Sequence, residues 1–218
     1  MNDVAKKIKV IVDLGLRPLL KQAGFRKGGT HFSKVDQESL EIINVQSSQW
    51  NNTSSGKFTL NVGVHFGTVA RMLHGTDPMP AIPKEHYCLI RRRVGMLLPG
   101  GKDHWWVVTT DTDAESVAAE LSSAWRDYIS PWLEKFKTTA GAAHELEKDN
   151  GMYSWTAAAA RLVLGEREKA TRLVETAIEF LRTNSDFAHP ANAALMEKRI
   201  NEIRLWAAAH GLTGPTKT

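Results

Sequence analysis

Apolar and polar residues alternate strictly between Phe58 and Phe66. The apolar half of this stretch is Phe58, Leu60, Val62, Val64 and Phe66. The intervening positions are Thr59, Asn61, Gly63 and His65. A period of two is typical of a β-strand that buries one face and presents polar side chains on the other.

A second strand is predicted over Leu40–Ser47, and it carries Asn44 and Gln46. The segment Gln49–Gly56 between the two strands is rich in Asn and Ser, which favour turns. Together these segments predict a hairpin within an antiparallel sheet.

Helical spacing of apolar residues predicts a first helix over Val4–Ala23, which Gly15 and Pro18 interrupt and Gly24 ends. A turn at Gly28-Gly29 then leads into a short strand that begins at Thr30.

The middle of the chain has weaker patterns. Gly67–Pro83 is rich in Gly and Pro and predicts a loop, with one helical turn around Val69–Leu73. His86–Met96 is ambiguous between strand and helix, and we favour a strand because the turn at Pro99-Gly100-Gly101 precedes the β-forming run Trp105–Thr110.

The last part of the chain is helical in pattern. Asp111 or Asp113 can cap a helix over Ala114–Phe136. Ala-rich helices are then predicted over Met152–Leu164, Glu166–Thr183 and Asn192–His210. The fold class is therefore α+β, with an antiparallel sheet of four to five strands packed on helices and a C-terminal bundle of about three helices. We expect an α+β domain over residues 1–137 and a helical appendage over 150–212.

Composition narrows the class of protein without defining a reaction. The 218 residues include 42% hydrophobic and 24% charged residues and carry a formal net charge of +4. Cys88 is the single cysteine, so no internal disulfide forms, and a reducing, cytoplasmic location is expected. No apolar run approaches the roughly 20 residues that span a bilayer, so no membrane partner is predicted.

Four segments in order resemble a known family. They are Gly24-Phe25-Arg26-Lys27 with Phe32; Ile43–Ser47 with Trp50; Phe58–Gly63; and Cys88, Arg91, Arg93 and Gly95 before Asp103-His104-Trp105-Trp106. Over about Leu16–Tyr128 the chain resembles the bacterial family called domain of unknown function 4304. The resemblance implies a small α+β domain with no agreed activity, and it offers no catalytic residues.

The polar side of the predicted sheet is the first candidate surface. Asn44 and Gln46 are expected to share a face with Thr59, Asn61 and His65. Rows of amides offer uncharged donors and acceptors, which suit a peptide backbone, a base edge or a sugar. The alternative is a solvent-facing strand surface, or amides that tie a loop to the sheet.

Arg91 and Arg93 form the second candidate. On a strand they point to one face and Arg92 to the other, and two guanidinium groups can hold a phosphate or a carboxylate. The alternatives are salt bridges to acids such as Asp103 or Glu41, and a solvated basic edge.

Trp50 and Trp105 are candidate stacking or anchoring residues. Tryptophans also commonly fill a core, and the adjacent Trp105 and Trp106 must face opposite ways on a strand. His86 and Cys88 would share a strand face, but no oriented base or oxyanion hole accompanies them, so a small buried hydrophobe is the simpler interpretation of Cys88.

The sequence predicts no catalytic residue, cofactor or metal site, since it contains no zinc motif, phosphate loop or nucleophile elbow. We favour a non-catalytic binding module for another protein, with toxin neutralisation or defence as roles suggested by analogy alone. The alternative is a binder or enzyme for a phosphate-bearing ligand such as nucleic acid, in which His65 is the candidate acid–base group. The oligomeric state is left open.

Overall fold

The computed structural model describes residues 3–149, 151–184 and 190–212. The chain divides into two compact units. The first contains the residues up to Phe66 together with Pro78–Lys135, and the second contains Gly67–Asp77 and the residues from Phe136 onward.

An antiparallel sheet with strands of different lengths forms the centre of the first unit. Its strands are β1 (Arg26–Gly28), β2 (His31–Val35), β3 (Leu40–Ser47), β4 (Ser55–His65), β5 (Ile90–Arg93) and β6 (Trp106–Thr109). They are ordered β1-β2-β3-β4-β5. The edge of β4 that faces away from β3 is shared by two strands: β5 pairs with residues 61–64 of β4 and β6 pairs with residues 55–58. The α+β fold class is confirmed, with the short β1 as a strand that the sequence analysis did not predict.

Strand register assigns each side chain to one of two faces. Val62 pairs with Ile43 and Arg92, whereas Asn61 pairs with Asn44 and Arg93. We call the face that carries Val62 the helix face and the face that carries Asn61 the polar face. The apolar residues of the alternating stretch all lie on the helix face and are at most 1% exposed.

Helices cover the helix face. They are α1 (Asp3–Gly15), α2 (Arg17–Gln22), α4 (Ala114–Ala124) and α5 (Ser130–Glu134), with a π-helical turn over Trp125–Ile129 that joins the last two. The predicted first helix is broken after Gly15, where a Cβ would lie 2.3 Å from the carbonyl oxygen of Ala118. Gly15 therefore permits the close approach of α1 and α4. The N-cap of α4 is Asp113, which accepts a hydrogen bond from the Glu115 N–H at 3.0 Å.

The predicted strand over His86–Met96 is right only in its centre. Glu85–Tyr87 and Val94–Met96 form 3₁₀ turns, and only Ile90–Arg93 pairs with β4. His86 and Cys88 therefore do not share a strand face. On the His86 side the pairing stops because β4 ends at His65, and on the Met96 side it stops because the same edge of β4 pairs with β6 from Phe58.

The second unit is helical. It contains α3 (Gly67–His74), α6 (Thr139–Leu146), α7 (Ser154–Val163), α8 (Arg167–Thr183) and α9 (Pro190–Ala209). The three predicted C-terminal helices are present, α3 is longer than one turn, and α6 was not predicted. Trp155 and Trp206 meet edge to face with ring centroids 6.1 Å apart, as expected for residues that seal a bundle. Within the described ranges, no helix is both long and apolar enough to cross a membrane.

Candidate binding face

Strand pairing gathers seven of the eight predicted site residues on the polar face. Asn61 on β4 pairs with Asn44 on β3 and with Arg93 on β5. Gln46, His65 and Arg91 lie two or four residues from these positions along the same strands, so they point to the same face. Trp105 precedes β6 and faces the same side, because its neighbour Trp106 pairs with Phe58 on the helix face. Trp50 lies in the β3–β4 loop instead and is 81% exposed.

The amides are joined by hydrogen bonds. The Asn61 amide nitrogen donates to Gln46 Oε1 at 2.7 Å and to Asn44 Oδ1 at 3.3 Å. Asn44 in turn lies 3.2 Å from the ring nitrogen Nε2 of His31 on β2. Burial lowers the pKa of His31, which favours the neutral ring. The row of amides is therefore an ordered network across three strands.

Arg93 connects the amides to an aromatic ring. Its guanidinium donates to Asn61 Oδ1 at 3.4 Å and to Asp103 Oδ1 at 3.0 Å. Asp103 also accepts a 2.8 Å hydrogen bond from the Trp105 indole N–H. The guanidinium carbon of Arg93 and the Lys57 ammonium lie 5.3 and 5.1 Å from the Trp105 ring centroid. Hydrogen bonds and cation–π contacts thus fix the half-buried indole in one orientation.

The indole hydrogen bond and the Arg93 guanidinium, in that order, lower the pKa of the Asp103 carboxyl, so it is ionised near neutral pH. Asp103 was one of the acids predicted to pair with the arginines, and it pairs with Arg93. Glu41, the other acid named, is on the helix face and pairs with Lys34 at 3.5 Å.

Arg91 has a different partner, which the sequence analysis missed. Its Nε donates to Glu85 Oε1 at 2.6 Å, and the Glu85 carboxylate is buried. Glu85 belongs to the 3₁₀ turn before β5, a segment whose pattern gave no sign that it folds back onto the sheet. Both predicted arginines are therefore paired with carboxylates.

The same turn covers one end of the polar face. A Cβ on Gly63 would lie 2.7 Å from Cys88 Sγ, so this glycine permits the turn to rest directly on β4. Thr59 and His65, at 0% and 3% exposed, are buried as well. The expectation of a water-exposed polar face was thus wrong for these two positions, and near His65 the cover is the segment of residues 85–88 that rests on Gly63.

Cys88 is a buried thiol whose pKa is raised by burial, so it stays protonated and is a poor nucleophile. The interpretation of Cys88 as a small buried hydrophobe agrees with this burial. No group of three or more His, Cys, Asp or Glu side chains suited to a metal occurs within residues 3–149, 151–184 and 190–212.

Apolar side chains lie at the opposite end of the polar face. Val107, whose register partner is Lys57, is 63% exposed beside the half-buried Trp105. The β3–β4 loop that carries Trp50 is tied to this end, because Asn51 exchanges hydrogen bonds with the backbone of Lys57 at 2.8 and 3.1 Å. The exposed end thus combines aromatic, aliphatic and cationic groups.

These features define an α+β domain whose sheet packs helices on one face and carries an ordered polar network on the other. Residues 16–135 match the family described as domain of unknown function (DUF4304). The chain belongs to this family, since the match covers more than half of its length. No curated protein and no solved structure matches the chain.

Proposed function

We propose that the protein is a non-catalytic binding module that uses the exposed end of its polar face to bind another protein. The observation that carries the proposal is Trp105, held between Arg93 and Lys57 and anchored through Asp103. Trp and Arg are the residues most enriched among those that dominate protein–protein affinity. An indole already fixed in place loses little side-chain entropy when a partner binds.

Charge favours a protein partner over a phosphate. The guanidinium groups of Arg91 and Arg93 already contact carboxylates, so an incoming phosphate would meet Glu85 and Asp103 as well as the cations. A protein partner can use the mixed surface as it stands, by covering the apolar rings and matching the amides. Toxin neutralisation and defence are roles proposed by analogy alone. A toxin gene beside the gene for this protein would support them.

Affinity capture from the native host with matched variants tests the proposal. The bait proteins are the wild type, Trp105→Ala, Arg93→Ala and the control Leu14→Ala, whose side chain is 53% exposed on α1. A specific partner should be recovered by the wild type and by the control. With that partner purified, Trp105→Ala should weaken binding about tenfold or more, as expected for a central anchor.

Two outcomes oppose the proposal. One is that no partner is enriched by the wild-type bait over an unrelated bait. The other is that a purified partner binds the Trp105 and Arg93 variants as tightly as it binds the wild type.

A phosphate-bearing ligand such as single-stranded nucleic acid is the second candidate. The specific observation in its favour is that Lys57 and Arg93 flank an aromatic ring, a combination suited to stacked bases and their phosphates. Titration of a labelled oligonucleotide at about 50 and about 200 mM salt tests it, because phosphate contacts weaken steeply with salt. Absence of binding at the lower concentration rejects this candidate.

A further inference from the structure

A cavity of about 460 Å³ opens on the other side of the sheet, between α1 and strands β1–β3. Its apolar wall consists of Ile8 and Val12 from α1 and Phe32 and Val45 from the helix face of the sheet. All four side chains are at most 9% exposed. The cavity thus has a preformed apolar wall that suits a hydrocarbon chain, and its volume lies in the range of small-molecule sites.

Two lysines form the rim of this cavity. Lys9 projects from α1 and Lys27 from β1, and the Lys27 ammonium lies 5.7 Å from the Phe32 ring centroid. Both contact one carboxylate: Lys9 Nζ is 2.8 Å from Asp13 Oδ2, and Lys27 Nζ is 3.2 Å from Asp13 Oδ1. Arg17 lies 3.5 Å from the same carboxylate. Three cations therefore surround the single carboxylate of Asp13, a local excess of two positive charges, and two of these cations, Lys9 and Lys27, line the cavity.

The cations hold Asp13 firmly. Hydrogen bonds from Lys9 first, and then Lys27, lower the pKa of the Asp13 carboxyl against the opposing effect of its partial burial. The two ammonium groups are thus already arranged around a carboxylate, and the surplus charge favours a second one.

We propose that this cavity binds a free, unbranched aliphatic carboxylate of medium chain length. The hydrocarbon chain would occupy the space between Ile8, Val12, Phe32 and Val45. The head group would lie at the rim beside Lys9 and Lys27, where it shares or displaces Asp13. This site is independent of the proposed function, because the cavity is on the helix face and Trp105 is on the polar face.

Decanoate is the probe, with decanol as its uncharged analogue. Calorimetry should show saturable binding of one decanoate per chain, and methyl signals of Ile8, Val12 and Val45 should shift in NMR spectra. The double variant Lys9→Gln/Lys27→Gln should weaken decanoate binding about tenfold or more, the scale of a lost charge-assisted hydrogen bond. Asp13→Asn should strengthen it, because the lysines then lose their resident anion.

Two further variants separate the site from general surfactant behaviour. Lys6→Gln changes an exposed lysine of the same helix, 3.1 Å from Asp3, and should leave decanoate affinity unchanged. Ser47→Phe places a ring in the cavity mouth from the exposed end of β3 and should abolish binding while the fold is kept.

Three results would overturn the assignment. They are the absence of saturable decanoate binding up to about 1 mM, equal affinity for decanol and decanoate, and an affinity that the paired lysine substitutions do not change. Binding of many decanoate molecules per chain would also overturn the assignment, because it indicates detergent-like adsorption and not a specific site.

Discussion

The two faces of β4 are buried almost equally, but by different means. On the helix face, Phe58, Leu60, Val62 and Val64 are 0% exposed against apolar helices. On the polar face, Thr59 is also 0% exposed, and a 3₁₀ turn and a network of amides and ion pairs cover much of the rest. Burial alone therefore does not distinguish a core from a potential binding surface in this sheet.

The difference lies in directionality. Apolar packing on the helix face is governed by volume and tolerates exchange among residues of similar size. Hydrogen bonds on the polar face require particular atoms at particular distances, so one substitution leaves several partners unsatisfied. The polar face is thus the more specific of the two in the groups that it requires.

The pKa values of carboxyl groups are shifted in opposite directions on the two faces. Burial raises the pKa of Glu41 on the helix face, despite its contact with Lys34, so its effect on stability is most favourable at low pH and is lost as pH rises through the raised value. The pKa of Asp103 on the polar face is lowered. Its stabilising effect is present above the ordinary carboxyl pKa and is lost as pH falls through the lowered value.

The largest expected effect is on the helix face. Leu60→Ala should lower the free energy of unfolding by about 3 kcal/mol, because it removes a fully buried side chain and leaves a cavity. Urea denaturation followed by circular dichroism measures the change, with Leu14→Ala on the exposed side of α1 as the control. A loss below about 1 kcal/mol would contradict the close packing of Leu60 on the helix face.

Gly63→Ala is expected to have the next largest effect and to lower the free energy of unfolding by about 2 kcal/mol. The reason is that the new methyl group would lie only 2.7 and 2.8 Å from Cys88 Sγ and Cβ. Gly28→Ala is the matched control, since its Cβ would meet nothing within 4 Å. Urea midpoints and hydrogen exchange of the β4 amides report the difference. Equal stability of the two variants would contradict the close contact between the turn and the polar face.

Thr59→Val is expected to stabilise the protein by about 1 kcal/mol. The Thr59 hydroxyl is buried and has no hydrogen-bond partner among the residues that the structure describes, so its removal relieves a desolvation cost. Thr112→Val is the control in the opposite direction, because the Thr112 hydroxyl accepts a 2.7 Å hydrogen bond from the Thr109 N–H. Destabilisation by both substitutions would mean that Thr59 has a hydrogen-bond partner in solution.

The smallest change in stability, but the clearest signature of the polar network, is expected from Trp105→Phe. Loss of the indole N–H should raise the pKa of Asp103 toward its ordinary value, since this hydrogen bond is the largest cause of the lowered pKa. Carboxyl carbon shifts in an NMR titration measure it, with Trp50→Phe as the control. An unchanged Asp103 titration in Trp105→Phe would exclude the hydrogen bond that orders the proposed anchor.

Local pattern predicted most of the elements. The alternation over Phe58–Phe66 and the amide positions of Leu40–Ser47 were sufficient for the hairpin and for the face that each side chain occupies. Because side chains alternate between the two faces of a strand, an apolar set at every second position fixes the face that each residue occupies. Alternation along a strand likewise predicted that Arg91 and Arg93 share a face and that Trp105 lies opposite Trp106.

What the sequence determined by itself was therefore the α+β class, the antiparallel hairpin and the grouping of polar side chains on one face. Only the tertiary structure decided that Glu85 pairs with Arg91, that Cys88 rests on Gly63 and that Lys9 and Lys27 share Asp13 at the rim of a cavity. Periodicity reports the orientation of a side chain within its own strand or helix. Contacts between segments distant in sequence depend on how loops fold back and where edges are covered, and these leave no periodic signal.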